Sequence, residues 1–410
     1  MLDATRALPW DLRALLWVAK QLSRVGVGFG PLEADALLEA ASREAGGLTD
    51  FGEDGFREGL DVLMRSLHED ANLSTLGHIS LWSTSVSALV ARLRLNALRA
   101  RRDPALDTPL VPPIVIIGLP RSGTTFLHRL LCQHPDARPL QLWELQRPLP
   151  GPGADKRLAE ARQRVGMLKR IAPELDAKHH LDAEAPEECM LLFNLSFVSM
   201  GYWTVCPCHG YADWYVDQDK TASYVDYRDL LRIFQAGSPG QRLTLKAPAH
   251  LAGTDELLTL LPDACVVQTH RDIVKTALSL DSLLYSLHAV TSARQDLPRM
   301  AQSNLRLMER LVARNQAARR VHPGRVLDVT YETLTGDPLG TVQGIYAHFG
   351  LDFTADFEAR LRAYIEAHPR HKHGVHRYGP EDFGVTQDEL EARLRPIEAQ
   401  YVLNPLRPSP

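Results

Sequence analysis

Residues able to hold an anion are concentrated between Pro112 and Pro135, in the run PPIVIIGLPRSGTTFLHRLLCQHP. Gly118 and Gly123 bracket a tight loop that contains Arg121 and Ser122 and leads into Thr124 and Thr125. The backbone N–H groups of Gly123, Thr124 and Thr125 open a helix, and a helix N-terminus attracts negative charge. The pattern nearly spells the phosphate loop G-x-x-x-x-G-K-[ST] of nucleoside-triphosphate enzymes. Gly118, Gly123 and Thr125 fit it, but Thr124 stands where the lysine belongs, and the cation has moved to Arg121. That lysine serves the β- and γ-phosphates beside magnesium. A donor with a single bridging phosphate needs neither in that place. A second cation, Lys246, ends the alternating run RLTLK. With both cations at carboxyl ends of predicted strands, Arg121 and Lys246 can face one crevice. Each supplies a charge-assisted hydrogen bond worth ~1.5–3 kcal/mol.

The elements that must position these groups are legible around them. Ile114 to Ile117 is an unbroken β-branched run, suited to a strand buried on both faces of a parallel sheet. Phe126, Leu127, Leu130 and Leu131 follow at helical spacing. Further strands are predicted at 242–247, 264–268 and 325–329, with a helix at 252–261 between the first two. Strands alternating with helices imply a doubly wound parallel sheet with right-handed crossovers. Residues 1–110 read as a helical N-terminal region. Phe56, Leu60, Leu63 and Leu67 share one helix face, and Val86, Leu89, Val90 and Leu93 share another. The α/β domain then spans 111–410. The proline-rich run ARPLQLWELQRPLPGPG after the loop is expected to cross the surface. Helices are expected at 155–175 and 386–401. The aromatic residues between Phe197 and Phe234 could line an acceptor site or form helical core.

The loop Pro-Arg-Ser-Gly-Thr-Thr resembles the 5′-phosphosulfate loop of sulfotransferases, which use 3′-phosphoadenosine-5′-phosphosulfate (PAPS). The likeness extends over about 112 to 383 and implies a P-loop-type α/β fold. LTLKAPAHL is similar to the lysine segment of tyrosylprotein sulfotransferases and related bacterial enzymes, where the lysine that contacts the transferred group matches Lys246. THRDIVKTALS resembles the motif that holds the 3′-phosphate, its arginine and serine falling on Arg271 and Ser279. A strand-end guanidinium forks onto phosphate, and a serine on the next helix adds a donor. VTYETL resembles the segment whose tyrosine lies against adenine, here Tyr331. The tail with Arg370, Lys372, His373 and Gly374 resembles the basic glycine loop that closes over the 3′-phosphate, with a spacing that departs from Arg-Lys-Gly. The likeness implies PAPS as co-substrate and 3′-phosphoadenosine-5′-phosphate as product.

Transfer also needs a base for the acceptor proton. Glu144 matches the glutamate after the loop in tyrosylprotein sulfotransferases if two residues are inserted. His250 is the rival, because cytosolic sulfotransferases place a base histidine after a lysine in this region, two residues on rather than four. His180 and Glu187, in the acidic run HHLDAEAPEEC, come third. Cys206-Pro-Cys208-His209 lacks the spacing and the second ligand pair of a zinc site, so no metal is expected.

Bulk properties bound the reading. The chain has 410 residues, 45% apolar and 23% charged, with a net charge of −4. Such a balance argues against a general nucleic-acid binder. Five scattered cysteines without disulfide spacing suit a reducing compartment. No apolar run approaches the ~18 residues of a membrane helix. The N-terminus shows no signal-like pattern, so a cytoplasmic protein is expected. The expected acceptor is a hydroxyl, less readily an amine, of a small molecule, lipid or sugar. Oligomeric state leaves no trace in the sequence. Two other readings stay open at this level: a metal-dependent nucleotide kinase, and a nucleotide-binding protein of the same fold without turnover.

Overall fold

Five short strands form a parallel sheet: β1 Ile114–Gly118, β2 Ala137–Pro139, β3 Arg242–Lys246, β4 Cys265–His270 and β5 Val326–Thr330. Their order is β2-β3-β1-β4-β5, and every pair is parallel. The computed structural model describes residues 29–173, 175, 181–368, 379–398, 401 and 405–406, with positions 11, 17, 18 and 21 before them.

β1 is buried along its whole length. Alternation sends Ile114 and Ile116 into a core with Leu127, Leu130, Leu131 and Val267. Val115 and Ile117 join a larger core with Leu243, Leu245 and Val266. A strand that must fill two cores has no polar face, hence its unbroken apolar run. β1 pairs with β3 on one side and β4 on the other, so the sheet changes direction beside it. Crevices at such switch points, outside the strand carboxyl ends, are where open α/β sheets bind ligands. The register pairs Ile116 with Lys246 and Gly118 with Thr269. The loop, Lys246 and the turn after β4 therefore emerge at one end.

The N-terminal helices Ala34–Glu44, Gly55–Glu69 and Thr75–Ala100 carry the expected faces. Phe56, Leu60, Leu63, Leu67, Val86, Leu89, Val90 and Leu93 are all buried, in the same core as Leu230 and Tyr202. The aromatic segment is largely core: Phe197, Tyr202, Tyr211 and Tyr227 are fully buried. The proline-rich run does not cross the surface as expected. It supplies β2 and the helix Leu142–Gln146, because Leu140, Leu142, Leu145 and Leu149 all find apolar partners. The other predicted helices form at Arg157–Ile171, Thr254–Leu260 and Gln387–Glu398.

Gly77 shows how closely the N-terminal helices seat. A Cβ there would lie 1.8 Å from the Thr291 carbonyl oxygen, which also accepts the Ser74 N–H at 2.9 Å. Neither backbone can swing aside. Gly77→Ala should therefore destabilise the fold by about 3 kcal/mol, the upper range for overpacking, read as a lower urea midpoint. An unchanged midpoint would mean the helix slides freely on its neighbour.

Candidate active site

The loop after β1 folds as its glycines require. Gly118 has φ 140°, and a Cβ there would meet Thr269 Oγ1 at 2.6 Å. Gly123, at φ 98°, is the N-cap of the helix Thr124–Leu131, and no side chain caps that helix. A Cβ on Gly123 would stand 3.1 Å from Tyr331 Cδ2. Both positions need a residue without a side chain. Arg121 itself takes φ 70°, uncommon for an L-residue. Ser122 is not at the mouth, contrary to expectation. Its Oγ donates to the Leu119 carbonyl at 2.6 Å and meets Thr269 Oγ1 at 2.6 Å. Its N–H also goes to Leu119, so Ser122 locks the loop onto β4 and has no donor to spare for a ligand. Thr124 is buried, while Arg121 and Thr125 are exposed.

A second group of candidates meets this loop from the other crossovers. Arg271, just past β4, donates from Nη1 to the Arg121 carbonyl at 3.0 Å. Its guanidinium carbon lies 4.5 Å from the centre of the Tyr331 ring. Arg121 Nε donates to Ser279 Oγ at 3.1 Å, on the helix Ile273–Thr291. Arg121, Arg271, Ser279 and Tyr331 thus surround the uncapped helix end. Two cations beside a helix N-terminus that no side chain caps suit an anionic ligand.

Lys246 reaches the same place from β3. Its side chain is only 2% exposed, and Nζ pairs with Glu188 Oε1 at 2.6 Å. Thr125 Oγ1 lies 3.5 Å from the same nitrogen. Glu188, 17% exposed, is the carboxylate that sequence reasoning missed. The acidic run stands out in the sequence, but nothing local distinguishes Glu188 from Asp182, Glu184 or Glu187. Only the pairing with Lys246, far away in sequence, does so.

The expected bases are differently employed. Glu144 is buried, and Arg138 forks onto both its oxygens, at 2.5 and 3.0 Å. It also accepts the Gln141 N–H at 2.9 Å, closing the capping box of its own short helix. This carboxylate is engaged as the structural partner of Arg138 and of its own helix start. His250 is fully buried, with Nδ1 2.7 Å from Tyr224 Oη and Nε2 3.4 Å from Cys189 Sγ. Burial pushes its pKa down to about 3. Enclosed in this way, the imidazole is closed off from an acceptor, contrary to its expected role as a base. Glu187 turns inward and accepts the Glu188 N–H at 2.8 Å. His180, Arg370, Lys372, His373 and Gly374 lie outside the described residues. Among the described residues no three His, Cys, Asp or Glu side chains converge as a metal site requires. His209 turns to Ser303 Oγ at 2.8 Å. Nor is any helix among them long and apolar enough to cross a membrane.

Residues 112–355 match the model of the sulfotransferase family. The omega-hydroxy-beta-dihydromenaquinone-9 sulfotransferases Stf3 of Mycobacterium bovis and Mycobacterium tuberculosis are each 27% identical over 285 residues. That span is 64% of this chain and 68% of theirs. The crystal structure of sulfotransferase STF1 from Mycobacterium tuberculosis superposes with TM-score 0.71 and 30% identity, covering 88% of this chain and 98% of that one. Sulfotransferase STF9 from Mycobacterium avium superposes with TM-score 0.80 and 25% identity, covering 91% and 98%.

Proposed function

Because the chain belongs to the sulfotransferase family, we propose that it moves a sulfuryl group from PAPS to the hydroxyl of a lipophilic acceptor. The observation that carries this reading is the meeting of Arg271 with the loop, 3.0 Å from the Arg121 carbonyl. That meeting supports a cation for a ribose phosphate beside a helix end for a 5′-phosphosulfate. PAPS, as substrate, brings the sulfuryl group on its 5′-phosphate and leaves as 3′-phosphoadenosine-5′-phosphate. The N–H groups of Gly123, Thr124 and Thr125 hold the 5′ end. Arg271 and Ser279 hold the 3′-phosphate, and Tyr331 flanks the adenine. Arg121 and Lys246 face the oxygens on which charge spreads during in-line transfer. Arg370, Lys372, His373 and Gly374 are assigned to the 3′-phosphate on the family likeness alone.

For the base we replace Glu144 and His250 by Glu188, since it is the carboxylate that stands at Lys246. It accepts the acceptor's proton as the new oxygen–sulfur bond forms. The acceptor class is suggested by the Stf3 relatives, whose name specifies an omega-hydroxylated dihydromenaquinone. A primary alcohol on an isoprenoid or comparable lipid is therefore the first class to test.

The test has two parts. By calorimetry the protein should bind 3′-phosphoadenosine-5′-phosphate well above 5′-AMP. Arg271→Ala should remove about 10- to 100-fold of that preference, the value of one charge-assisted pair. Sulfur-labelled PAPS with a lipid extract should then give a labelled product. Equal binding of the two nucleotides, or tighter binding of magnesium–ATP, would turn the reading toward a kinase. Tight binding with no labelled product from any alcohol would leave a binding protein.

A further inference from the structure

The turn that carries Arg271 is gripped by the far end of the chain. Arg395 Nη1 pairs with Asp272 Oδ2 at 3.0 Å. Glu398 Oε1 accepts the Ile273 N–H at 2.8 Å, and Arg395 and Glu398 pair with each other. Tyr401 stands edge-on to His270, with ring centres 4.5 Å apart. The Leu406 N–H reaches the Asp328 carbonyl at 2.8 Å. On the inner side, the buried Asp328 carboxylate takes His270 Nε2 at 2.7 Å and both forks of Arg319 at 2.7 and 2.8 Å. His270, Asp272 and Ile273 are each held by residues between 395 and 401, while Arg271 points the other way, to the loop. These clamping residues lie past the end of the family match at 355.

The arrangement has an electrostatic consequence. Asp272 adjoins Arg271 in sequence, and a free carboxylate there would draw the guanidinium back along its own turn. Instead Asp272 caps the following helix through the Lys275 N–H at 2.8 Å and spends its remaining charge on Arg395. A long, rotamer-rich arginine binds well only when its backbone and its competing partners are fixed.

We propose that the helix Gln387–Glu398, together with Tyr401 and Leu406, is a positioning element for the second anion pocket. It touches no substrate; it aims Arg271 at the phosphate on the ribose 3′ position. The inference rests on the reading of that pocket given above.

The experiment compares 3′-phosphoadenosine-5′-phosphate with 5′-AMP by calorimetry on the full chain, well below its melting temperature. Arg395→Ala/Glu398→Ala should weaken the first ligand about five- to tenfold, roughly the worth of one well-placed hydrogen bond, and leave the second unchanged. Arg395→Lys, which keeps the charge, should retain the preference. In an Arg271→Ala background the double substitution should cost nothing further. A wild type with a clear preference and a double variant that keeps it would overturn the inference alone. So would equal weakening of both ligands, the mark of general loosening. A wild type that binds both nucleotides alike would overturn the pocket reading and this inference together.

Discussion

Glu188→Gln should lower kcat for sulfuryl transfer by about 10²- to 10⁴-fold, the usual worth of a positioned general base. Affinity for 3′-phosphoadenosine-5′-phosphate should stay as in the wild type. The expectation follows from where the carboxylate sits. It is bonded to Lys246 at 2.6 Å and partly open to solvent, so an acceptor oxygen can approach it. Lys246 in turn is near Thr125 on the loop helix. The substitution keeps shape and removes only the ability to take a proton. Glu144→Gln is the contrasting case. It breaks the charge of a buried pair with Arg138, and loss of one partner of such a pair costs about 3–5 kcal/mol of stability. Its effect should appear in the unfolding midpoint, with turnover per folded molecule retained. If Glu188→Gln kept most of its turnover and Glu144→Gln lost it while folded, the assignment of the base would reverse.

Acid should unfold this protein before its carboxylates titrate. His128, His250 and His288 are buried, and burial pushes each pKa down to about 3. For His128 the nearby Lys246 charge adds to burial. Each stays neutral in the fold and takes up a proton near pH 6.5 once unfolded. The unfolded chain then binds more protons, so stability falls as pH falls below that value. Asp281 acts in the opposite sense. Burial raises its pKa to about 7, against a hydrogen bond from Asn304. It is protonated in the fold and ionised when unfolded above the usual carboxylate range, so it costs stability at neutral pH and regains some on acidification. His209 adds to this, since burial lowers its pKa to about 4, so four protons gained by the unfolded chain against one by the fold leave a net of about three between pH 6.5 and 4, or about 4 kcal/mol per pH unit. By pH 5 about 6 kcal/mol is lost, comparable to the whole at the lower end of a typical total of roughly 5–15 kcal/mol. Urea unfolding at a series of pH values measures the slope directly. A flat stability from pH 7 to 5 would show that these imidazoles reach water.

Local steric demands were readable from the chain alone. A β-branched run with no polar member can only be a strand covered on both sides, and β1 is that strand. Gly118 and Gly123 occupy backbone positions that a side chain would block. The positions of Arg271 and Ser279 were legible together because one strand end and the next two helical turns carry both. The periodic faces of the N-terminal helices were legible for the same reason: neighbours in sequence decide them.

Partnership was not local, and tertiary structure decided it. Glu144 and Glu188 are the same residue type, and no neighbour in sequence says which of them stays available. One is consumed by Arg138 and a capping box, while the other stands at Lys246. His250 follows a lysine as a base might, yet packing around Tyr224 and Cys189 closes it off. Ser122 lies in the loop but bonds inward to Thr269. The grip of Arg395 and Glu398 on the turn beside Arg271 joins segments more than a hundred positions apart. A side chain's chemistry is set by its type, but its availability is set by what packs against it. The packing partners of a doubly wound sheet come from crossovers distant in the chain.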